Sequence, residues 1–435
     1  MLSTLPIANS SSAPDASPPS PEELARRLEE FDRTREPGSL WPGLTEPARV
    51  AAAQELERIT RLRLAGASAI QLDPARAHSP YALLVAGHTT GIGPVIGAWV
   101  ERGFVAGTAE RTAPFLRHLA HSRARGGRME REVLPAIDAL LQRGVTPVLL
   151  KGFHTSRVYF PEPGARRMAD VDVLIPPDRV ADVEQALSEL GFRPDTAALR
   201  PYKRDWIDAS IDPRHHSLEL AHEASRWVLE VHASLDRLHH PGAVARLDSA
   251  RSSVEPLDVA GRTVHVLSPE LLLVYLACHC SQELDGIRLL RLFEIVQVVR
   301  HEGARHRLEW DAVLAMLERH RAAHFAYPAF ALAEDLAPGT VDPRVLGAGR
   351  RASTLAARHT VPRLAPAGGS LDARGVMRQL MWTRGTVAIA QRLLRNVWPA
   401  SFTKPRDVIP AWRVRLRRLR RGALSLGAPD ERPRS

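Results

Sequence analysis

Two aspartates one residue apart stand in the run Asp170-Val171-Asp172-Val173-Leu174-Ile175. Side chains alternate along a strand, so both carboxylates point to one face and Val171, Val173 and Ile175 to the other. Aspartate is depleted in strands, and two carboxylates about 5 Å apart at an effective dielectric of about 20 repel by roughly 3 kcal/mol. A divalent cation between them reverses the sign of that term, and Mg2+ is typically held by one or two carboxylates together with substrate phosphates. A third carboxylate, Glu230, lies in Val228-Leu229-Glu230-Val231-His232, where alternation puts Val228, Glu230 and His232 on one face. Lys151-Gly152 closes the apolar run Val148-Leu149-Leu150. Glycine there lets backbone come close to a ligand, and amides opening a following helix cradle a phosphate. Three carboxylates beside a backbone anion cradle are the components of metal-assisted phosphoryl transfer.

Each of these residues also has a plainer reading. Asp170 and Asp172 could form the polar face of an edge strand. Lys151 and Arg166 could be surface cations, and His232 either a packed strand histidine or a ligand or catalytic group. Lysine is a marked choice in this chain: of 59 Lys and Arg residues only Lys151, Lys203 and Lys404 are lysine. His279 and Glu294 read as helix-packing polar groups. Gly91-Ile92-Gly93-Pro94-Val95-Ile96-Gly97 has one residue too many for a dinucleotide-binding turn. Cys278-His279-Cys280 and the adjacent pairs His215-His216 and His239-His240 lack metal-ligand spacing.

The run Leu149-Leu150-Lys151-Gly152-Phe153 is followed by Tyr159-Phe160-Pro161-Glu162-Pro163-Gly164-Ala165-Arg166-Arg167-Met168-Ala169-Asp170-Val171-Asp172-Val173-Leu174-Ile175. Together they resemble the uncharacterised bacterial nucleotidyltransferase-like family of the polymerase-beta superfamily, over about residues 130–300. The resemblance implies a mixed sheet, Asp170 and Asp172 as metal ligands and Glu230 as the third carboxylate. It also implies transfer of an NMP unit from an NTP. Arg166 falls on the family arginine four residues before the first aspartate, and 228–232 on its later acidic-x-His segment. Lys-Gly-Phe stands where many superfamily members carry Gly-Gly or Gly-Ser.

The elements that must hold these residues read as α+β: a small mixed-sheet nucleotidyltransferase core flanked by N- and C-terminal helical regions. Residues 1–45 read as a mostly disordered Ser/Pro/Ala-rich tail with one short helix opened by Ser20-Pro21-Glu22-Glu23. Residues 46–142 read as an N-terminal helical region, clearest over 131–143. The core spans 143–240, with strands expected at 145–150, 170–175, 217–222 and 227–235 and a helix at 178–190. A helical bundle follows over 260–345, opened by Ser268-Pro269-Glu270. A loop and a basic C-terminal segment, 346–435, close the chain.

At 435 residues with 44% hydrophobic and 25% charged composition, the chain is too long for one compact domain and too apolar for wholesale disorder. Two cysteines cannot build a disulfide framework. With no transmembrane run and no secretory leader, the expectation is a cytoplasmic protein. Residues 391–421 hold ten basic residues against the single acid Asp407, nine of the chain's ten net positive charges. That segment is a candidate contact for nucleic acid or an anionic membrane, or a solvated helix. The expected reaction is NMP transfer from an NTP, with two Mg2+ ions on Asp170, Asp172 and Glu230, to an acceptor that is a small molecule, peptide or RNA. Lys151, Gly152 and Arg166 would hold the nucleotide. The alternative is a catalytically inactive nucleotide- or partner-binding protein with a basic tail that docks on nucleic acid.

Overall fold

The computed structural model describes residues 20–34, 37–75, 79–195, 203–210, 217–218, 222–240, 243–247, 253–284, 288–367, 381–383 and 389–390. The Ser20 hydroxyl accepts from the Glu23 amide at 3.2 Å and caps helix α1 (Pro21–Thr34). Then come α2 (Pro37–Leu40), α3 (Glu46–Leu64), strand β1 (Ile70–Gln71), α4 (Pro80–Thr90), α5 (Gly93–Glu101), β2 (Val105–Ala106) and the 34-residue α6 (Ala109–Gln142). The glycine-rich run has a packing explanation. Gly91 ends α4 at φ 75°, and a Cβ on Gly97 would lie 2.3 Å from the Phe115 carbonyl oxygen, so α5 and α6 touch through backbone. Among the described residues no single helix is long and apolar enough to cross a membrane. The pair α4 and α5 has the length and composition but bends by 116° and is mostly buried.

The site region starts with β3 (Val148–Leu149), α7 (Lys151–Val158) and β4 (Asp170–Leu174). It continues through α8 (Val180–Glu189), β5 (Phe192–Pro194), β6 (Lys203–Asp208) and β7 (Val228–His232). A small ladder, β8 (Arg237–His240) with β9 (Ala243–Ala245), precedes the hairpin β10 (Val254–Val259) and β11 (Arg262–Leu267). Among the described residues the main sheet has seven strands in the order β10-β11-β3-β4-β7-β6-β5. It is mixed: β4 runs parallel to β7 and antiparallel to β3, while β6 is antiparallel to β7. The chain is therefore α+β with a mixed sheet between helical regions. The sheet continues past residue 240, because the hairpin turn, with Ala260 and Gly261 both at positive φ, folds β10 and β11 back beside β3.

One face of the sheet is a core. Val171, Val173, Leu229, Val231 and Trp206 pack with Met129, Val133, Ile137 and Leu140 of α6 and with Val183 and Leu187 of α8. Each fully buried aliphatic side chain of this layer stabilises by about 1.5–3 kcal/mol over leaving it in water. That layer consumes the odd-numbered residues of β4 and leaves the aspartates to the other face. The second core gathers α3–α6 with α9 (Pro269–Gln282), α10 (Arg288–Ala304), α11 (Trp310–Arg319) and α12 (Ala323–Leu336).

One further expectation differs. The stretch after 337 contains α13 (Pro343–Ala352) and α14 (Leu355–Thr360), capped by Asp342 and Thr354, which accept from the amides of Arg344 and Ala357. α13 buries Val345 and Gly349 and α14 buries Ala357 and Thr360, so little large apolar surface marks either helix. Of the strand expected at 217–222, only 217, 218 and 222 are described, and the basic segment 391–421 lies outside the described residues.

Candidate active site

The residues singled out by chemistry meet on the polar face of the sheet. In the β4–β7 register Asp172 stands opposite Glu230 and Leu174 opposite His232. Lys151 opens α7 directly after β3, and the Leu150 amide donates to the Asp172 carbonyl at 3.0 Å, which holds the start of α7 against β4. The Lys151 ammonium lies 3.2 Å from Asp170 Oδ2 and 2.7 Å from Asp172 Oδ2. Asp172 is 1% exposed, whereas the Asp170 side chain keeps 29% of its surface. His232, fully buried, has Nε2 3.1 Å from Asp172 Oδ1 and 3.4 Å from Glu230 Oε2.

Two residues of the cluster were not expected. Strand β6 pairs with β7 so that Asp205 faces Glu230 and Lys203 faces His232. Lys203 Nζ sits 2.5 Å from Glu230 Oε1 and 3.2 Å from Asp205 Oδ1. Two of the chain's three lysines therefore sit on this cluster's carboxylates, and lysine rarity was the signal that could have found Lys203. Four carboxylates on three neighbouring strands face two ammonium groups, so acid is in excess in the cluster.

Electrostatics separates the carboxyls. Burial pushes Asp170 up, with the Asp172 and Glu230 charges adding to it and Lys151 opposing. Burial acts on Asp172 the same way, but the Lys151 ammonium and the His232 ring outweigh it and hold that carboxyl well below its ordinary range. Glu230 is lifted by burial and by Asp172, yet His232, Lys151 and Lys203 bring it below its ordinary value.

Arg166 and Gly152 are adjacent. A Cβ on Gly152 would lie 2.8 Å from Arg166 Nη1. The guanidinium donates Nε and Nη2 to Glu294 of α10 at 2.7 and 3.0 Å, and Thr155 of α7 also donates to Glu294. Arg166 is thus tied into a buried ion pair rather than extended toward the aspartates. Behind the sheet, buried Arg125 of α6 donates to the carbonyls of Met168 at 2.8 Å, Ala169 at 3.4 Å, His222 at 3.3 Å and Arg226 at 2.7 Å, and to that of Ser225. It joins the turn entering β4 to the turn entering β7. Burial and the neighbouring Arg128 lower its pKa to about 10. Sequence reading missed it, because one arginine among several on a helix carries no local mark.

The cluster suits a divalent cation. Carboxylate oxygens are hard donors of the kind Mg2+ takes, and Asp170 with Asp172 already share one cation, the Lys151 ammonium. Asp172, Glu230 and His232 bring ligand atoms within 4.8 Å of one another. Leu150 gives the start of α7 no side-chain cap, and the opening amides of a helix are where anions bind.

Residues 82–338 match a family described as uncharacterised nucleotidyltransferase. No curated protein matches the chain. Among solved structures, the lincomycin-bound lincosamide antibiotic adenylyltransferase LnuA is similar at 14% identity, over 33% of this chain and 83% of that one, with TM-score 0.24. The antibiotic-resistance factor ANT(2'')-Ia is similar at 14% identity, over 45% and 97%, with TM-score 0.27. A nucleotidyltransferase-like protein from Paracoccidioides brasiliensis is similar at 15% identity, over 45% and 91%, with TM-score 0.26.

Proposed function

The chain belongs to the family of uncharacterised nucleotidyltransferases, and from that membership we propose that it moves an NMP unit from an NTP to an acceptor at Asp170, Asp172 and Glu230. The observation that carries this reading is the convergence of these carboxylates from β4 and β7 beside the start of α7. The acceptor supplies a hydroxyl, phosphate or amine. Its oxygen or nitrogen forms a bond to the α-phosphorus, the bond to the β-phosphate oxygen breaks, and pyrophosphate leaves.

Asp170 and Asp172 hold the divalent metal, with Glu230 as the third carboxylate and His232 beside it. Two Mg2+ ions, when bound, supply the charge that holds the triphosphate, stabilises the leaving pyrophosphate and lowers the pKa of the attacking group. Glu230 either completes that site or takes the acceptor proton. Lys151 and the Gly152 amide bind the β- and γ-phosphates. Arg166, locked on Glu294, packs against Gly152 and positions the start of α7. The acidic row leaves the nucleotide no other cationic partner on β4 and β7, so the phosphates lie toward α7.

The test uses NTPs labelled at the α-phosphorus or at the γ-phosphorus, incubated with the purified chain, Mg2+ and fractionated cell lysate. Nucleotidyl transfer puts the α-label, and not the γ-label, into an acceptor and releases pyrophosphate. NTP binding with no label transferred from any fraction contradicts the enzyme reading and leaves a binding protein.

A further inference from the structure

Resting on that reading, we propose that Lys151 is the resident counter-ion of Asp170 and Asp172, that a divalent metal must displace it, and that nucleotide phosphates receive the displaced ammonium. Metal and nucleotide then bind cooperatively, and metal alone binds weakly. The ammonium sits on Oδ2 of both aspartates, at 3.2 and 2.7 Å, on the two carboxylates that would hold a metal. Two cations cannot share those oxygens at such distances without strong repulsion. Metal entry therefore costs the lysine its partners unless a second anion takes it up.

Three observations make Lys151 the mobile member. First, it opens α7 beside the uncapped amides, so a phosphate bound to those amides lies within reach of its stem. Second, Lys203 is engaged with Glu230 at 2.5 Å and Asp205 at 3.2 Å, so the ammonium seated on the two aspartates of β4 is that of Lys151. Third, the chain uses arginine almost everywhere, yet has lysine here. An arginine fork would bind the carboxylates bidentately and hold on, whereas a compact ammonium on a flexible stem can exchange one anion for another.

The chain's three lysines permit a direct readout. With lysine-selective 13Cε labelling, the Lys151 signal, assigned by its loss in Lys151→Gln, should shift when Mg2+ is added with a mixture of the four α,β-methylene NTPs. The Lys203 signal, assigned through Lys203→Gln, should stay in place. Independently, Mn2+ binding followed by electron paramagnetic resonance should be at least tenfold tighter to Lys151→Gln than to the wild type without nucleotide. The nucleotide-dependent gain in Mn2+ affinity should be large in the wild type and mostly lost in the variant. A stationary Lys151 signal overturns the proposal, as does unchanged or weaker Mn2+ binding to Lys151→Gln, provided the wild type binds Mn2+ with nucleotide. If the wild type binds neither Mn2+ nor nucleotide, the underlying functional reading fails with it.

Discussion

Asp172 and Glu230 stand directly opposite one another on the neighbouring parallel strands β4 and β7. Two carboxylates in register repel, and the fold answers with a different ammonium for each: Lys151 at 2.7 Å from Asp172 and Lys203 at 2.5 Å from Glu230. An acidic row stabilised in this way is poised to exchange cations. Its geometry depends on the supports behind it.

The Arg166–Glu294 pair joins the site loop to the helical bundle. Both side chains are almost wholly buried, so removing one partner strands a charge. Glu294→Gln should cost about 3–5 kcal/mol in a urea unfolding series. Arg166→Met with Glu294→Leu should recover most of that loss. Equal destabilisation of the single and double variants would contradict the pairing.

Gly152 is required by close approach. An alanine Cβ would meet Arg166 Nη1 at 2.8 Å, and Glu294 keeps that guanidinium from moving aside. Gly152→Ala should therefore cost about 1–3 kcal/mol and weaken NTP binding in a thermal-shift titration. In an Arg166→Ala background the same substitution should cost little. A penalty that persists there would place the clash elsewhere.

Arg125 joins the turns entering β4 and β7 through five carbonyl groups. Each buried carbonyl left without a donor costs on the order of 1 kcal/mol or more. Arg125→Met should lower stability by about 3 kcal/mol or more and speed hydrogen exchange in β4 and β7 before α11 and α12. Uniform acceleration across the chain would indicate only a global effect.

His154 of α7 gives a pH dependence with a definite sign. Burial lowers its pKa from 6.5 to about 4, against an opposing pull from Glu294. The unfolded chain therefore binds a proton that the folded chain refuses between those two values. The stability contribution is intact above pH 6.5 and declines as the pH falls toward 4, by about 3 kcal/mol in all. Urea midpoints of the wild type should fall more steeply from pH 7 to pH 5 than those of His154→Phe. Parallel profiles would assign the loss to other groups.

How far the site could be read in advance follows from where its signals lie. Asp170, Asp172 and Glu230 were legible because a two-residue period among valines and leucines fixes a face whatever the strand pairs with. Their meeting in register depends on the β4–β7 pairing, which no local pattern encodes. Lys203 and Asp205 escaped because β6 reads Lys203-Arg204-Asp205-Trp206-Ile207-Asp208, where charge obscures the alternation. Arg166 was expected to hold the nucleotide; its partner Glu294 lies 128 positions away, beyond any spacing argument. The helices α13 and α14 were hidden because little large apolar surface marks either, although their caps, Asp342 and Thr354, stood in plain view.

The central claim is that Asp170, Asp172 and Glu230 act together in nucleotidyl transfer. Transfer of α-labelled phosphate should be compared for the wild type, Asp170→Asn, Asp172→Asn and Glu230→Gln, each checked as folded by circular dichroism. The account predicts a loss of at least about a thousandfold, some 4 kcal/mol of barrier, for Asp172→Asn, with large losses for the other two. Folded Asp172→Asn that transfers label at the wild-type rate would contradict it.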